Sequence, residues 1–498
     1  MTPEISRGCV QIMKLVPAGI GVKLVAVGAV LATVLAGCGT IGSITGGGSS
    51  GTVTVTVNTS SPGKAINQDL LGVDGPGNGQ VQQLTALGLH FDRTDVGFDN
   101  SANYNCSTGQ WSSANLDTKV NQIKSEGSTP LLIVDYSPSC LATPPTIPDP
   151  LASSINYAPP DQGTHQATWI NLVQEMAYHE ITQEGVRYFE VWNEPDGAFW
   201  SGGESGYNQL YKDTSGALEA AASKAGVSIN VGGPALANLL GTMDTFFLDP
   251  FLSYVASNKL PLDFLSWHTY ANDPVPSGGG LGYNPLLTTS TYTSEANAVE
   301  SALGPYPQLK PELIIDEWNV NGMSDPRMSQ TYDAAFAASV LNQAQGSNIG
   351  AMAFYNSVDS TFGMINPDGS IRPVYNTFLF WHEMATSQVP VSISGDGDGY
   401  VGAVGAVSQN GQVTVMIYNF KAYDLEGNYG TSDPTPYDHQ VKLEINGLGS
   451  GNYNYTRDAQ DGSNTGGQVD SGTITASNNT LSFTVPGEGV AFISLSKS

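Results

Sequence analysis

Between residues 66 and 360, short apolar runs of strand character alternate with segments of helical period. The strand candidates are Leu70–Asp74, Leu89–Val96, Pro130–Tyr136, Arg187–Trp192, Ser228–Gly232, Phe264–His268, Leu313–Glu317 and Ala351–Tyr355. Between them, 168–183 places Ile170, Val173, Met176, Ala177 and Ile181 on one face of a 3.6-residue period. Segments 206–225 and 329–345 follow the same rule. Eight strand–helix units in series predict an α/β fold, a (β/α)8 TIM barrel over 63–387. An open doubly wound sheet would carry a GxGxxG loop after an early strand, and none follows one here.

Near residue 388 helical periodicity gives way to period-two alternation. Val401–Val407, Val413–Tyr418, Val441–Ile445, Thr473–Ala476, Leu481–Val485 and Ala491–Leu495 are separated by Gly, Asn and Asp turns. They predict an antiparallel β-sandwich over 388–498. Thr52–Asn58, TVTVTVN, alternates perfectly ahead of the barrel. Residues 52–62 are therefore expected to lend a strand to the sandwich.

The first 38 residues read as a leader. Lys14 and Lys23 precede the apolar run Leu24–Gly37, which is shorter than the roughly 20 residues of a spanning helix. The run ends in Leu35-Ala36-Gly37-Cys38, which resembles a bacterial lipobox, with Cys38 the lipidated residue. An ordinary leader with an incidental cysteine is the alternative. Residues 39–51, rich in Gly and Ser, read as a flexible linker. The resulting expectation is a lipid-anchored, extracytoplasmic protein of the bacterial cell envelope. In that compartment Cys106 and Cys140 are expected to pair, two separate buried thiols being the alternative.

Composition narrows the partners. Asp and Glu total 45 against 18 Lys and Arg, a net charge of −27. Such a field repels nucleic acid and favours neutral ligands. Scarce cations near the expected mouth point the same way, toward an uncharged substrate. No cysteine–histidine cluster implies a metal site, and no cofactor is expected.

Two candidate strands end in glutamate. Tyr188-Phe189-Glu190-Val191-Trp192 runs into Asn193-Glu194-Pro195-Asp196, and Leu313-Ile314-Ile315-Asp316-Glu317 into Trp318-Asn319. The C-terminal ends of barrel strands carry catalysis, and strands four and seven face each other across an eight-strand ring. Two opposed carboxyls, one protonated and one ionised, are what retaining glycoside hydrolysis requires. Strand parity places Leu313, Ile315 and Glu317 on one face and Asp316 on the other, favouring Glu317 over Asp316 as nucleophile.

The run Phe189-Glu190-Val191-Trp192-Asn193-Glu194-Pro195-Asp196 resembles the acid/base motif of clan A glycoside hydrolases, most closely glycoside hydrolase family 39, the β-xylosidase and α-L-iduronidase family. Asp263-Phe264-Leu265-Ser266-Trp267-His268-Thr269-Tyr270 resembles that family's strand six. The chain departs from it at Asp316 and Trp318, which flank Glu317, and offers Phe354-Tyr355-Asn356 on strand eight. The resemblance implies Glu194 as acid/base, Glu317 as nucleophile, Asn193 on the sugar 2-OH and Tyr270 on the nucleophile. It also implies that Arg93 neutralises the nucleophile, an ion pair with Asp92 or Asp95 being the structural alternative. His268 shares the parity of Tyr270, and a buried structural histidine is its alternative. Trp192, Trp318 and Tyr355 are candidate sugar-stacking or supporting residues, while Trp267 has the outward parity. Asp74 closes strand one, where contact with sugar and a turn role are equally open. A β-xyloside is the first substrate expected. The competing function is a non-catalytic carbohydrate-binding surface lipoprotein on the same barrel.

Overall fold

The computed structural model describes residues 51–77, 79–143, 160, 163–197, 199–240, 242–273, 275–277, 280–282, 289–423 and 438–498. The leader over 1–38, with Cys38, and the linker up to residue 50 lie outside the described residues. Among the described residues no helix is long and apolar enough to cross a membrane.

Eight parallel strands close into a barrel. Strands one to eight are Gly72–Asp74, Phe91–Asp95, Thr129–Val134, Tyr188–Val191, Asn230–Leu236, Phe264–Tyr270, Glu312–Asn319 and Ala351–Tyr355. Each of the eight apolar runs read from the sequence contributes one. Strands five, six and seven run further toward the mouth than the runs read from the sequence, ending at Leu236, Tyr270 and Asn319. Several helices have weak periodicity and were not legible. Pro373–His382 is apolar nearly all round, since it is covered on both sides.

The barrel interior is layered. Phe91, Leu131, Phe264, Ile314, Ala351 and Ala353 form an apolar plug at the N-terminal end. One pleat further along the same faces come Arg93, Ser266 and Asp316, joined by Glu190 from strand four, all fully buried. The polar layer thus rests on a dry floor, and above it opens the mouth.

Beyond the barrel two sheets pack face to face. The four-stranded sheet runs Val391–Ser394, Val53–Asn58, His439–Asn446, Thr480–Val485. The six-stranded sheet runs Ser387–Val389, Val401–Val407, Val413–Asn419, Val490–Lys497, Asn452–Gln460, Thr465–Thr475. Pairing is antiparallel except that Val53–Asn58 lies parallel to His439–Asn446, with Val55 opposite Leu443. Val53, Val55 and Val57 join Leu443, Ile445, Val415 and Ile493 in the sandwich core. Asn452–Gln460 escaped the sequence reading because its exposed and buried positions do not alternate cleanly in hydropathy. Phe380 stacks on Phe492 at 5.4 Å, so the last barrel helix and the sandwich share a packed face.

A disulfide joins Cys106 to Cys140, tying the segment after strand two to the segment after strand three.

Val55 is fully buried and its neighbour Thr56 only partly so. Val55→Asp is expected to cost about 3–5 kcal/mol, the scale of an unpaired buried charge, whereas Thr56→Asp costs under about 1 kcal/mol. Urea unfolding of the two variants measures the difference, and equal losses would contradict the register.

Candidate active site

The mouth is a cavity of about 510 Å³ lined by Asp74, Arg93, Asn193, Glu194, Glu317 and Tyr355, with Asp95, Lys119, Tyr136 and Phe199 among its other walls. Two backbone devices aim the glutamates into it. Strand four ends in positive φ at Trp192 (70°) and Glu194 (46°). Non-glycine residues in that region cost on the order of 1–3 kcal/mol each, so the surrounding packing must hold them there. Trp192 supplies part of that packing. It is fully buried, meets Tyr136 and Trp200 edge-on, and donates its indole N–H to the Phe199 carbonyl at 2.9 Å.

Strand seven uses a bulge. Its register against strand six shifts between Ile315 and Glu317. The parity argument therefore needs correcting. Leu313 and Ile315 face the helices, while Ile314 and Asp316 face the barrel interior. The extra residue then turns Glu317 inward as well. Asp316 and Glu317 both point in, at different depths. Asp316 is sealed off from solvent, whereas the Glu317 side chain keeps 13% exposure and lines the cavity.

Arg93 ties the layers together. Its Nε donates to Glu190 Oε2 at 2.7 Å and lies 3.2 Å from Asp316 Oδ2. Its Nη1 donates to Asp74 Oδ2 at 2.6 Å and approaches Glu317 Oε2 at 3.4 Å, and Nη2 donates to Asn193 Oδ1 at 2.7 Å. These partners, and not Asp92 or Asp95, make its ion pairs. Because Asn193 Oδ1 accepts from Arg93 and its Nδ2 donates to Tyr136 Oη at 3.1 Å, its amide is locked in one orientation.

His268 stands between the two glutamates. Its Nδ1 lies 2.9 Å from Glu194 Oε1 and 3.6 Å from Glu317 Oε2, and its Nε2 is 3.8 Å from Asp316 Oδ1. One carboxylate oxygen of Glu194 and one of Glu317 lie within 4.8 Å of each other. Tyr270 donates its hydroxyl to Glu317 Oε1. Ser266 Oγ donates to Glu190 Oε1 at 2.5 Å.

Burial and charge set the protons. Burial alone would depress the His268 imidazolium, but Glu317 and the hydrogen bond to Glu194 outweigh it and push its pKa up to about 10. Burial raises Asp316 well above the usual carboxyl range, and the neighbouring Glu190 charge raises it further. Burial also works against ionised Glu190, but Arg93 and the hydrogen bonds from Asp316 and Ser266 hold it below its usual value. Asp316 thus keeps a proton that it shares with Glu190. Burial lifts Asp74 to about 7 against the pull of Arg93.

The candidate residues therefore separate. Asn193, Glu194, Glu317, Arg93, His268, Tyr270 and Tyr355 converge on the mouth. Trp318 does not. It is fully buried on the outer face, stacked on Phe378 at 6.1 Å and edge-on to Phe354, because the bulge turns it toward the helices. Trp192 braces the site from behind. Trp267 faces outward and donates to Glu295 at 3.1 Å. Glu190, Ser266, Tyr136, Phe199 and Lys119 were not singled out. A charged residue inside the apolar run Tyr188–Val191 was the signal for Glu190, while Ser266 on strand six, Lys119 on helix Ala114–Ser125, and Tyr136 and Phe199 on loops are brought together only by the closed barrel.

The family model described as "Glycosyl hydrolases family 39" matches residues 67–448. A protein named beta-xylosidase from Caldicellulosiruptor saccharolyticus is 26% identical over 301 residues, 56% of this chain and 57% of that one. The chain spans about half the length of the curated relatives it matches. Among solved structures, a glucosidase from Croceicoccus marinus superposes with a TM-score of 0.70 at 19% identity, covering 90% of this chain and 99% of that one. A monomeric beta-xylosidase from Caulobacter crescentus CB15 gives 0.70 at 18% identity, covering 89% and 99%. At those identities the two structures share the fold.

Two outcomes follow from the electrostatics. Arg93→Met leaves Glu190 without its cation and is expected to lower stability by about 3–5 kcal/mol in urea unfolding. For His268, the folded-state pKa of about 10 lies above the ordinary 6.5, so its contribution is complete below pH 6.5 and is lost as pH rises toward 10. His268→Gln should flatten that alkaline slope of stability. An unchanged slope between pH 6.5 and 10 would refute the charged imidazolium.

Proposed function

Because the chain belongs to glycosyl hydrolase family 39, we propose that it is a retaining O-glycosyl hydrolase acting by double displacement, with Glu194 as acid/base and Glu317 as nucleophile. The observation that carries this reading is the approach of the two carboxylates to within 4.8 Å across one histidine. Retaining enzymes hold their carboxyls about 5–5.5 Å apart, whereas inverting ones leave roughly 6.5–9.5 Å for a water.

The chemistry follows from the placement of charge. Glu317 lies beside Arg93 and His268 and accepts the Tyr270 hydroxyl, an arrangement that aims one oxygen at the anomeric carbon. Glu194 shares the proton on His268 Nδ1 at 2.9 Å and passes it to the departing glycosidic oxygen. The anomeric carbon–oxygen bond breaks as the bond to Glu317 forms. Glu194, now a base, takes a proton from water, and that water displaces Glu317 from the sugar. Asn193 binds the 2-OH, a contact that tightens in the transition state. Tyr136 and Phe199 present stacked rings, 6.4 Å apart, along one wall of the cavity, a surface suited to the apolar face of a sugar ring.

The substrate in this reading is a neutral glycoside, with β-xylosides first, in line with the names of the sequence relatives. Of the cations in the cavity wall, Arg93 is already paired with carboxylates and Lys119 donates to the Asp95 carbonyl at 2.9 Å. Residues 63–387 form the catalytic barrel. Lipidation at Cys38 and an extracytoplasmic place in the cell envelope complete the proposal, resting on the lipobox-like sequence alone.

Glu194→Ala is expected to lower kcat/KM on a panel of aryl glycosides by roughly 10²–10⁴. Azide should restore turnover in this variant when the leaving group is good. Glu317→Ala should lose about 10⁴-fold or more. Peptide mapping after a 2-fluoro glycoside trap should find the label on Glu317. Near-normal rates in either variant, or a label on another residue, would overturn the assignment.

A further inference from the structure

A second cluster lies outside the barrel, between the helices that follow strands two and three. Helix Gln166–His179 does not end regularly but continues as a π-helical turn over Glu180–Glu184, closing on Gly185 at φ 75°. Such turns recur at functional sites because the widened backbone has no advantage of its own. Here it lets adjacent residues, normally about 100° apart around a helix, reach one point. That point is Asp117, in the first turn of helix Ala114–Ser125. A carboxylate oxygen of Asp117, a ring nitrogen of His179 and a carboxylate oxygen of Glu180 lie mutually within 4.8 Å.

Glu180 is the anomaly. It is 0% exposed, and no N–H or hydroxyl group donates to either of its oxygens, whose polar partner is the Asp117 carboxyl. A buried carboxylate left this way costs several kcal/mol unless a proton or a cation neutralises it. The other ligand atoms are already oriented. Ser113 Oγ donates to Asp117 Oδ2 at 2.8 Å, which leaves Oδ1 turned toward His179 Nε2 at 2.9 Å. Trp111 packs edge-on against the His179 ring at 5.4 Å. Asp117 and His179 keep 29% side-chain exposure, so the cluster has a path to solvent.

We propose that Asp117, His179 and Glu180 form a divalent-cation site of Zn²⁺ type that clamps the two helices together. Two carboxylates and one neutral imidazole supply the two negative charges that such an ion needs. The imidazole favours Zn²⁺ over Ca²⁺ or Mg²⁺, which prefer all-oxygen shells. Three protein ligands leave a fourth tetrahedral position for water on the exposed side. Binding displaces the protons shared within the cluster, so affinity rises with pH. The Lys124–Glu184 ion pair at 2.7 Å joins the same two helices nearby and is compatible with a bound ion.

The test uses the full chain, stripped with a chelator and dialysed. Titration with Zn²⁺ followed by calorimetry and elemental analysis should show one equivalent taken up here, with proton release and a raised unfolding midpoint. Glu180→Gln and Asp117→Asn should each abolish that uptake. Asp398→Asn, in the separate Asp396–Asp398–His439 cluster, should leave it intact. No uptake at 100-fold molar excess of Zn²⁺, with Glu180→Gln as stable as the parent, would mean that Glu180 holds a proton and would overturn the proposal. Uptake that survives both substitutions would overturn it as well, since the ion would then sit elsewhere.

Discussion

One buried guanidinium organises the barrel. Arg93 is almost wholly removed from water and has carboxylates on several sides. Left alone, a buried cation or any one of those acids would be unstable in such a place. Together they form a layer in which Glu190 is ionised, Asp316 is protonated and Asn193 is held in one orientation. The glutamates at the mouth are positioned against this layer, because Glu317 lies against Nη1 and Asn193 immediately precedes Glu194. The fixed fork of arginine matters, since each nitrogen serves a different partner and a lysine has no equivalent geometry.

The two carboxylates at the mouth themselves sit where regular backbone stops. Strand four leaves the β region at Trp192, and strand seven gains a residue before Glu317. Both departures convert a strand, which can only point side chains in or out, into a device that aims one at a particular spot. The stiff aromatic packing behind Trp192 and Trp318 holds those departures in place. The tryptophans serve the site by what they prevent the backbone from doing.

Much of this was legible in the chain. The eight apolar runs, the period change near residue 388 and the strand-terminal Glu194 and Glu317 follow from spacing alone. Parity also placed His268 and Tyr270 correctly, because strand six is regular from Ser266 to Tyr270. Parity failed on strand seven, because a bulge leaves no mark in hydropathy. The roles of Trp318 and Asp316 were lost with it. Glu190 was visible as a charge in an apolar strand, but its partner Arg93 lies far away in sequence, and only barrel closure brings the two together. Asp316 is a departure from the family pattern, and holding a proton makes it a neutral hydroxyl donor to Glu190.

The strand Val53–Asn58 lies between two neighbours in the middle of the four-stranded sheet, parallel to one and antiparallel to the other. Tension applied to the chain ahead of residue 53 would act along the length of this strand. Rupture then requires two ladders of backbone hydrogen bonds to shear together, instead of peeling open one at a time. The sandwich would therefore take up a pull from the N-terminal side before it reached the barrel and its mouth.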